Sequence, residues 1–124
     1  MPKAVPDRGD FVVISFTPQA GHEQAGRRNA IVLSPKLFNE ATGFAAVCPI
    51  TNQRKGCPLE VGLPSEGIAL EDGFPVTGVI LADQVKTLDW KARNLKVPKH
   101  CDKEDEQLTD AVMDCLPKAK TYLG

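Results

Sequence analysis

Two short stretches carry the side chains best equipped for chemistry. The first, GHEQAGRRNAIVLSP (residues 21–35), sets His22, Glu23, Gln24, Arg27 and Arg28 in a glycine-framed loop that runs straight into an apolar strand. The second, CPITNQRKGCP (residues 48–58), ends a strand and presents Thr51, Asn52, Gln53, Arg54 and Lys55 before Gly56 turns the chain. A guanidinium fork can hold a phosphate through two hydrogen bonds. A threonine hydroxyl can donate to a further phosphate oxygen. Amides and cations on the same loops suit base edges and flanking phosphates. With Glu23 or His22 as proton carrier, the set could support phosphoryl transfer without a metal. Every one of these residues also has a plain structural use. Arg28 could bridge to Glu23 or Asp83. Thr51 is β-branched at a strand end, where propensity alone would place it. Gln24 and Asn52 form turns readily, and Arg54 and Lys55 suit a solvated surface. The two loops therefore mark either an anion or RNA site, or ordinary polar turns.

Other chemistries find less support. His22 and His100 are far apart, and no Asp, Glu or His cluster has the spacing of a metal site. Neither G-x-G-x-x-G nor G-x-x-x-x-G-K-[ST] occurs, so a nucleotide cofactor is not expected. A G-x-S-x-G nucleophile elbow is missing too. The four cysteines, Cys48, Cys57, Cys101 and Cys115, form no C-x-x-C pair and read as free thiols. The expected site thus has no metal and no cofactor.

The elements that must position these loops are short. Residues 11–16 alternate Val12, Ile14 and Phe16 on one face. Further apolar runs at 30–33, 44–50, 59–63, 76–81 and 84–88 are separated by turn signals, among them Gly43, Gly56, Pro64 and Gly73. Several short strands at this spacing predict a small antiparallel barrel or sandwich. Residues 35–42 can hold one short helical region. The end of the chain changes period: Leu108, Ala111, Val112, Cys115 and Leu116 form one helical stripe. Asp102 is the expected N-cap, and Glu104, Asp105 and Glu106 suit the positive end of the helix dipole. Pro117 is expected to end or kink the helix near Leu116. The class is α+β, mainly β, in a single domain over residues 1–124.

Length and composition agree. A chain of 124 residues can bury roughly two thirds of its unfolded surface without a staple. With 42% hydrophobic and 25% charged residues it has an ordinary globular composition. No apolar run approaches the ~20 residues of a membrane span, and the N-terminus has no apolar signal core, so a cytoplasmic location is expected. The net charge of −1 does not announce a nucleic-acid binder, but its distribution is uneven. Cations gather between residues 19 and 58, anions between 101 and 116.

Three blocks, PDRGDFVVISFTPQAGHEQAGRRNAIVLSP, CPITNQRKG and GVILADQVKTLDWKAR, resemble the MazF/PemK toxin family in order and spacing. The resemblance runs from Pro6 to Arg93. It implies an SH3-like antiparallel β-barrel with flanking helices and a C-terminal α-helix, assembled as a homodimer. It also implies a ribosome-independent, metal-independent endoribonuclease that cuts single-stranded RNA at short sequences. A MazE-like antitoxin would wrap the active surface. Carried over by position, the resemblance makes Arg28 and Thr51 catalytic, with Glu23 in catalysis or substrate positioning. Gln53 and Lys55 fall where family members contact RNA, and Phe16 matches an aromatic beside the site. His22, Gln24, Arg27, Asn52 and Arg54 complete the expected RNA surface. Asn29 stands where a proline usually follows the arginine, and Val13 and Ser15 replace an aromatic and an acid. Phe16 and Trp90 are the aromatics that could take apolar anchors of an antitoxin, although Trp90 also reads as core. The apolar strand end at residues 47–50 offers an edge for a symmetric copy. The competing class is a gyrase-binding toxin on the same barrel, or an RNA-binding module without catalysis.

Overall fold

Strict alternation along three neighbouring strands splits the interior into two apolar layers. The computed structural model describes residues 5–16, 27–53, 59–71 and 75–123. Strands β1 (Phe11–Ser15), β2 (Arg27–Val32) and β3 (Phe44–Thr51) pair antiparallel in sequence. Helix α1 (Lys36–Thr42) joins β2 to β3. Strands β4 (Glu60–Gly62), β5 (Val79–Leu81), β6 (Lys86–Asp89) and β7 (Lys96–Lys99) follow, then the long helix α2 (Lys103–Leu123). A strand sends successive side chains to opposite faces. Phe11, Ile31, Leu33, Cys48 and Ile50 accordingly enter one cluster, closed by Val112 of α2. Val12, Ile14, Phe16, Ala30, Val32, Ala45 and Val47 enter the other, with Leu88, Trp90 and Leu95.

β3 is the branch point. One edge pairs with β2; the other is shared by β6, along Phe44 to Val47, and β5, at Ile50 and Thr51. Pro49 falls between those two partners, where a missing N–H costs the ladder least. The strand order is β4-β5-β3-β2-β1-β7, with β6 on β3. The expected barrel is close to what forms, except that the sheet stays open between β4 and β7. A second expectation fails: residues 47–50 are not an edge. They lie in the middle of the sheet, because both sides of β3 are already taken. β7 has no counterpart among the strands expected from sequence. Its lone apolar pair, Val97 and Pro98, is too short a signal, and it joins β1 through a register shift.

Asn39 on α1 shows how a polar residue holds the second layer. It is fully buried, its Nδ2 donates to the carbonyls of Pro6 and Ser34, and its backbone carbonyl accepts from Trp90 Nε1 at 2.9 Å. Trp90 is therefore core, 1% exposed. Gly43 ends α1 in the left-handed region that glycine favours, and its N–H bonds the Asn39 carbonyl.

Helix α2 begins as expected and ends differently. Asp102 Oδ1 accepts the Asp105 N–H, and Asp105 Oδ2 accepts the Asp102 N–H, a reciprocal cap. The buried line on α2 runs through Asp105, Thr109 and Val112, while Ala111 is exposed. Asp105 and Thr109 can be buried because Lys99 meets the carboxylate and the Thr109 hydroxyl donates to the Asp105 carbonyl. The helix then passes through Pro117 to Leu123. Proline removes one N–H and crowds the preceding turn, but Lys118, Ala119 and Lys120 favour helix and propagation resumes. Among the described residues no helix is long and apolar enough to cross a membrane.

The cap generates a stability test. The Asp105 N–H and then Lys99 hold the Asp102 carboxyl below its ordinary value of 3.8. Its contribution is present above that value and lost as pH falls through the lowered one. Asp102→Ala should lower the urea midpoint at pH 7, and the deficit should shrink towards pH 3.

Candidate functional site

The β2–β3 ladder decides where the two polar loops meet. Its pairs are Val32 with Val47, Ile31 with Cys48 and Ala30 with Pro49. Two residues beyond the last of these pairs, Arg28 and Thr51 stand at the strand mouth, Arg28 held by its pairing with Ile14 of β1 and Thr51 by its pairing with Val79 of β5. Both line one cleft of about 250 Å³, together with Arg27, Asn29, Ile50, Asn52, Pro75, Val76 and Thr77. The guanidinium and hydroxyl expected to act together thus share a wall. Arg27 also borders a neighbouring hollow of about 520 Å³ formed by Val13, Glu71, Lys96, Val97 and Pro98. That hollow is larger, but it contains neither Arg28 nor Thr51.

Thr51 is fixed at the floor of the cleft. It is 6% exposed, and its Oγ1 accepts the Gln53 N–H at 3.1 Å. Accepting that bond closes the turn and leaves the hydroxyl proton for donation. Asn52 and Gln53 are exposed on the turn, Arg28 is half-buried and Arg27 exposed. On the other side of β2, Ser15 faces Arg27 in the β1 ladder, and Arg93 Nη1 donates to the Ser15 carbonyl. The strand mouth is therefore held by a residue of the third sequence block.

Phe16 does not line this cleft. It is 1% exposed and packs in the second apolar cluster with Val12 and Ile14, as the alternation of β1 requires. With Trp90 also buried, neither aromatic offers a surface anchor to a partner. Glu23, His22, Gln24, Arg54 and Lys55 lie outside the described residues.

Two residues beside Asn52 carry no chemical signature in sequence, so residue type alone does not single them out. Gly78 has φ +109°, and a Cβ there would stand 2.1 Å from the Thr51 carbonyl oxygen. Only glycine lets the chain entering β5 press so closely on the Thr51–Asn52 backbone. Thr77, next to it, donates from Oγ1 to Asn52 Oδ1 at 2.7 Å. An isolated glycine before an apolar run is the only hint the sequence holds.

Neither Cys48 nor Cys101 offers an alternative nucleophile. Burial, then Asp83 and Cys115, push Cys48 up to about 12. Burial and the surrounding carboxylates of Asp105, Glu106, Asp10 and Asp102 push Cys101 up to about 11. A thiol protonated at neutral pH is a poor nucleophile and a poor metal ligand.

An open antiparallel sheet whose central strands end in an arginine–threonine cleft defines a class: a small β-rich protein with guanidinium and hydroxyl groups gathered at the strand mouths. Comparison narrows it. The family model described as PemK-like, MazF-like toxin of type II toxin-antitoxin system matches residues 7–118. The chain belongs to that family. It is 42% identical over 115 residues to the endoribonuclease toxin MazF of Escherichia coli K12, covering 90% of this chain and 94% of the relative. It is 36% identical over 93 residues to the endoribonuclease PemK of Escherichia coli, covering 73% and 65%. The crystal structure of MazF (Form-I) from Deinococcus radiodurans superimposes with a TM-score of 0.80 at 40% identity, over 94% of this chain and 96% of that one. A MazE–MazF structure (Form-II) from the same organism gives 0.73 at 41% identity, over 94% and 96%.

Two glycines allow the close approach to be tested. A Cβ at Gly43 meets nothing within 4 Å, so Gly43→Ala should cost only the left-handed strain, roughly 1 kcal/mol. Gly78→Ala adds a clash with backbone, and should cost about 1–3 kcal/mol more in urea unfolding.

Proposed function

We propose that this protein is a sequence-specific endoribonuclease toxin that cuts single-stranded RNA without the ribosome and without a metal. The observation that carries the reading is the shared cleft of Arg28 and Thr51 at the end of the β2–β3 ladder. The family match and the endoribonuclease relatives support the reaction class. The RNA's own 2′-hydroxyl attacks the adjacent phosphorus. The P–O5′ bond breaks, leaving a 2′,3′-cyclic phosphate and a 5′-hydroxyl. The 2′-hydroxyl gives its proton to a base, and the departing 5′-oxygen receives one. DNA lacks the nucleophile, so it binds without being cut.

Arg28 stabilises the charge that builds on the phosphoryl oxygens, and the Thr51 hydroxyl donates to one of them. Arginine is a poor base because it stays charged at any physiological pH, so the proton falls to Glu23 or His22, a few residues earlier in the sequence. Arg27, Asn52, Gln53, Arg54, Lys55 and Gln24 hold the flanking nucleotides. An RNA substrate puts the work in the cytoplasm. The MazE–MazF structures of Deinococcus radiodurans support a cognate antitoxin of the MazE type for this chain as well, and the same reading takes the working form as a homodimer. The gyrase-binding reading has no observation in its favour.

Removing one such electrostatic contact typically costs about 10²–10³ in rate. Arg28→Ala should therefore abolish detectable cutting of a long RNA in EDTA, and Thr51→Val should slow it about a hundredfold. Light scattering should still give the dimer mass for both. Cutting at the wild-type rate by Arg28→Ala would refute the assignment, and RNA binding without any cutting by the wild type would leave a non-catalytic binding module.

A further inference from the structure

The row of residues that contains Asn29 does not stop at the cleft. Asn29 pairs with Val13 of β1, and Val13 with Lys96 of β7, so one cross-strand row runs from the cleft wall to the edge of the sheet. Val13 stands two residues along β1 from Phe11, on the same face. Phe11 is buried in the first apolar cluster, whereas Val13 is half-buried and belongs to neither cluster. The uncovered stretch is the hollow of about 520 Å³ lined by Val13, Arg27, Glu71, Lys96, Val97 and Pro98. The Glu71 N–H donates to the Pro98 carbonyl at 3.0 Å and closes one side of it.

Charge and shape here suit a nucleotide. Arg27 and Lys96 are exposed and rise from the strands on either side of β1. Among the described residues neither has a carboxylate within ion-pair distance. Lys99, on the same strand as Lys96, is by contrast taken by Asp102 and Asp105. Val13 and Pro98 give the hollow an apolar floor. A nucleotide has the matching parts, a base with an apolar face and a phosphate that draws cations. Arg27 borders both the cleft and the hollow, so a strand held in the cleft passes into the hollow without leaving cationic surface. A peptide with acidic and apolar side chains would meet the same groups, but the continuity through Arg27 favours the strand already in the cleft.

Resting on the nuclease reading above, we propose that this hollow is a further RNA subsite, for a nucleotide beyond the scissile linkage. Arg27 meets the phosphate that leaves the cleft. Lys96 meets the next, two strand spacings or ~10 Å across the sheet, and the base lies on Val13 and Pro98.

The test reads binding of a 2′-deoxy oligomer of about eight nucleotides, a usual single-strand site size, which is not cut. By fluorescence anisotropy, Lys96→Glu should weaken binding about tenfold, as expected for reversing one phosphate contact. Lys36→Glu makes the same change of charge on α1, at the other end of β2 and β3 from the cleft, and should stay within about twofold. Glu71→Gln removes the carboxylate that lines the hollow and should tighten binding about twofold. Lys96→Gln should lower the slope of log affinity against log salt by ~0.7, one single-strand phosphate contact. In isotope-labelled protein the oligomer should shift the Val13 methyl resonances together with those of Thr51. Equal losses in Lys96→Glu and Lys36→Glu overturn the proposal, as does an unchanged salt slope in Lys96→Gln. A Val13 signal that stays in place while Thr51 shifts overturns it too, and leaves the hollow to a protein partner. Cutting of a long RNA in EDTA is scored separately. The expected binding pattern without cutting by the wild type would sink the nuclease reading alone and keep the subsite.

Discussion

The ladder across β1, β2 and β3 sets Phe11 beside Ile31 and Ile31 beside Cys48, and all three side chains enter one apolar cluster. The adjacent row sends Val12 and Ala30 into the other. A slip of one residue anywhere in this ladder would exchange the two layers, setting large side chains where small ones fit. The register that the core enforces is the register that brings Arg28 and Thr51 to one strand mouth. The packing of residues 11, 31 and 48 does so from several residues away, and the cleft inherits its geometry from the core.

How far this is legible in sequence depends on the kind of signal. Alternation in residues 11–16 and the short apolar runs at 30–33 and 44–50 announce the three strands, because short runs between turn signals suit a pleated strand buried on both faces. The meeting of the two polar loops is legible as an expectation only through their shared position at strand ends. What escapes is whatever depends on neighbours distant in the chain. The middle position of β3 is invisible until β5 and β6 are seen to share its far edge. Phe16 is expected beside the site from the resemblance, but its place in the alternation with Val12 and Ile14 is what decides, and it enters the second cluster. Asp105 and Thr109 look like surface, since an apolar pattern cannot show that Lys99 and the helix backbone satisfy them. Thr77 and Gly78 look like a turn, and only the approach to Thr51 gives them meaning.

The acidic run at the start of α2 illustrates why net charge says little about the cleft. Asp102 and Asp105 are used to cap the helix and to hold Lys99. Burial lowers the Lys99 pKa, but the bonds from Asp105 and Asp102 outweigh it and keep the ammonium charged. Burial likewise raises Asp105 against the opposing pull of Lys99, so this carboxylate is held at some cost and depends on its partner. These charges are committed to one another, and their excess over the cations elsewhere is a property of the helix. The cleft between β2 and β3 is lined by Arg27 and Arg28, with no carboxylate among its described residues.

A division of labour follows from where each group is mounted. Arg28 and Thr51 sit at the ends of paired strands, and their backbones are fixed by ladders that the core will not let slip. Stabilising a developing charge requires such fixed groups, because a dipole that must reorient during reaction loses most of its value. Arginine suits that task, since it stays charged at any physiological pH, and for the same reason it cannot receive the proton. On the proposed reading, proton transfer needs a group of another type, and the sequence places His22 and Glu23 a few residues before Arg28. The proposed chemistry therefore divides between two kinds of side chain: a permanent charge mounted on paired strands, and a separate group that carries the proton.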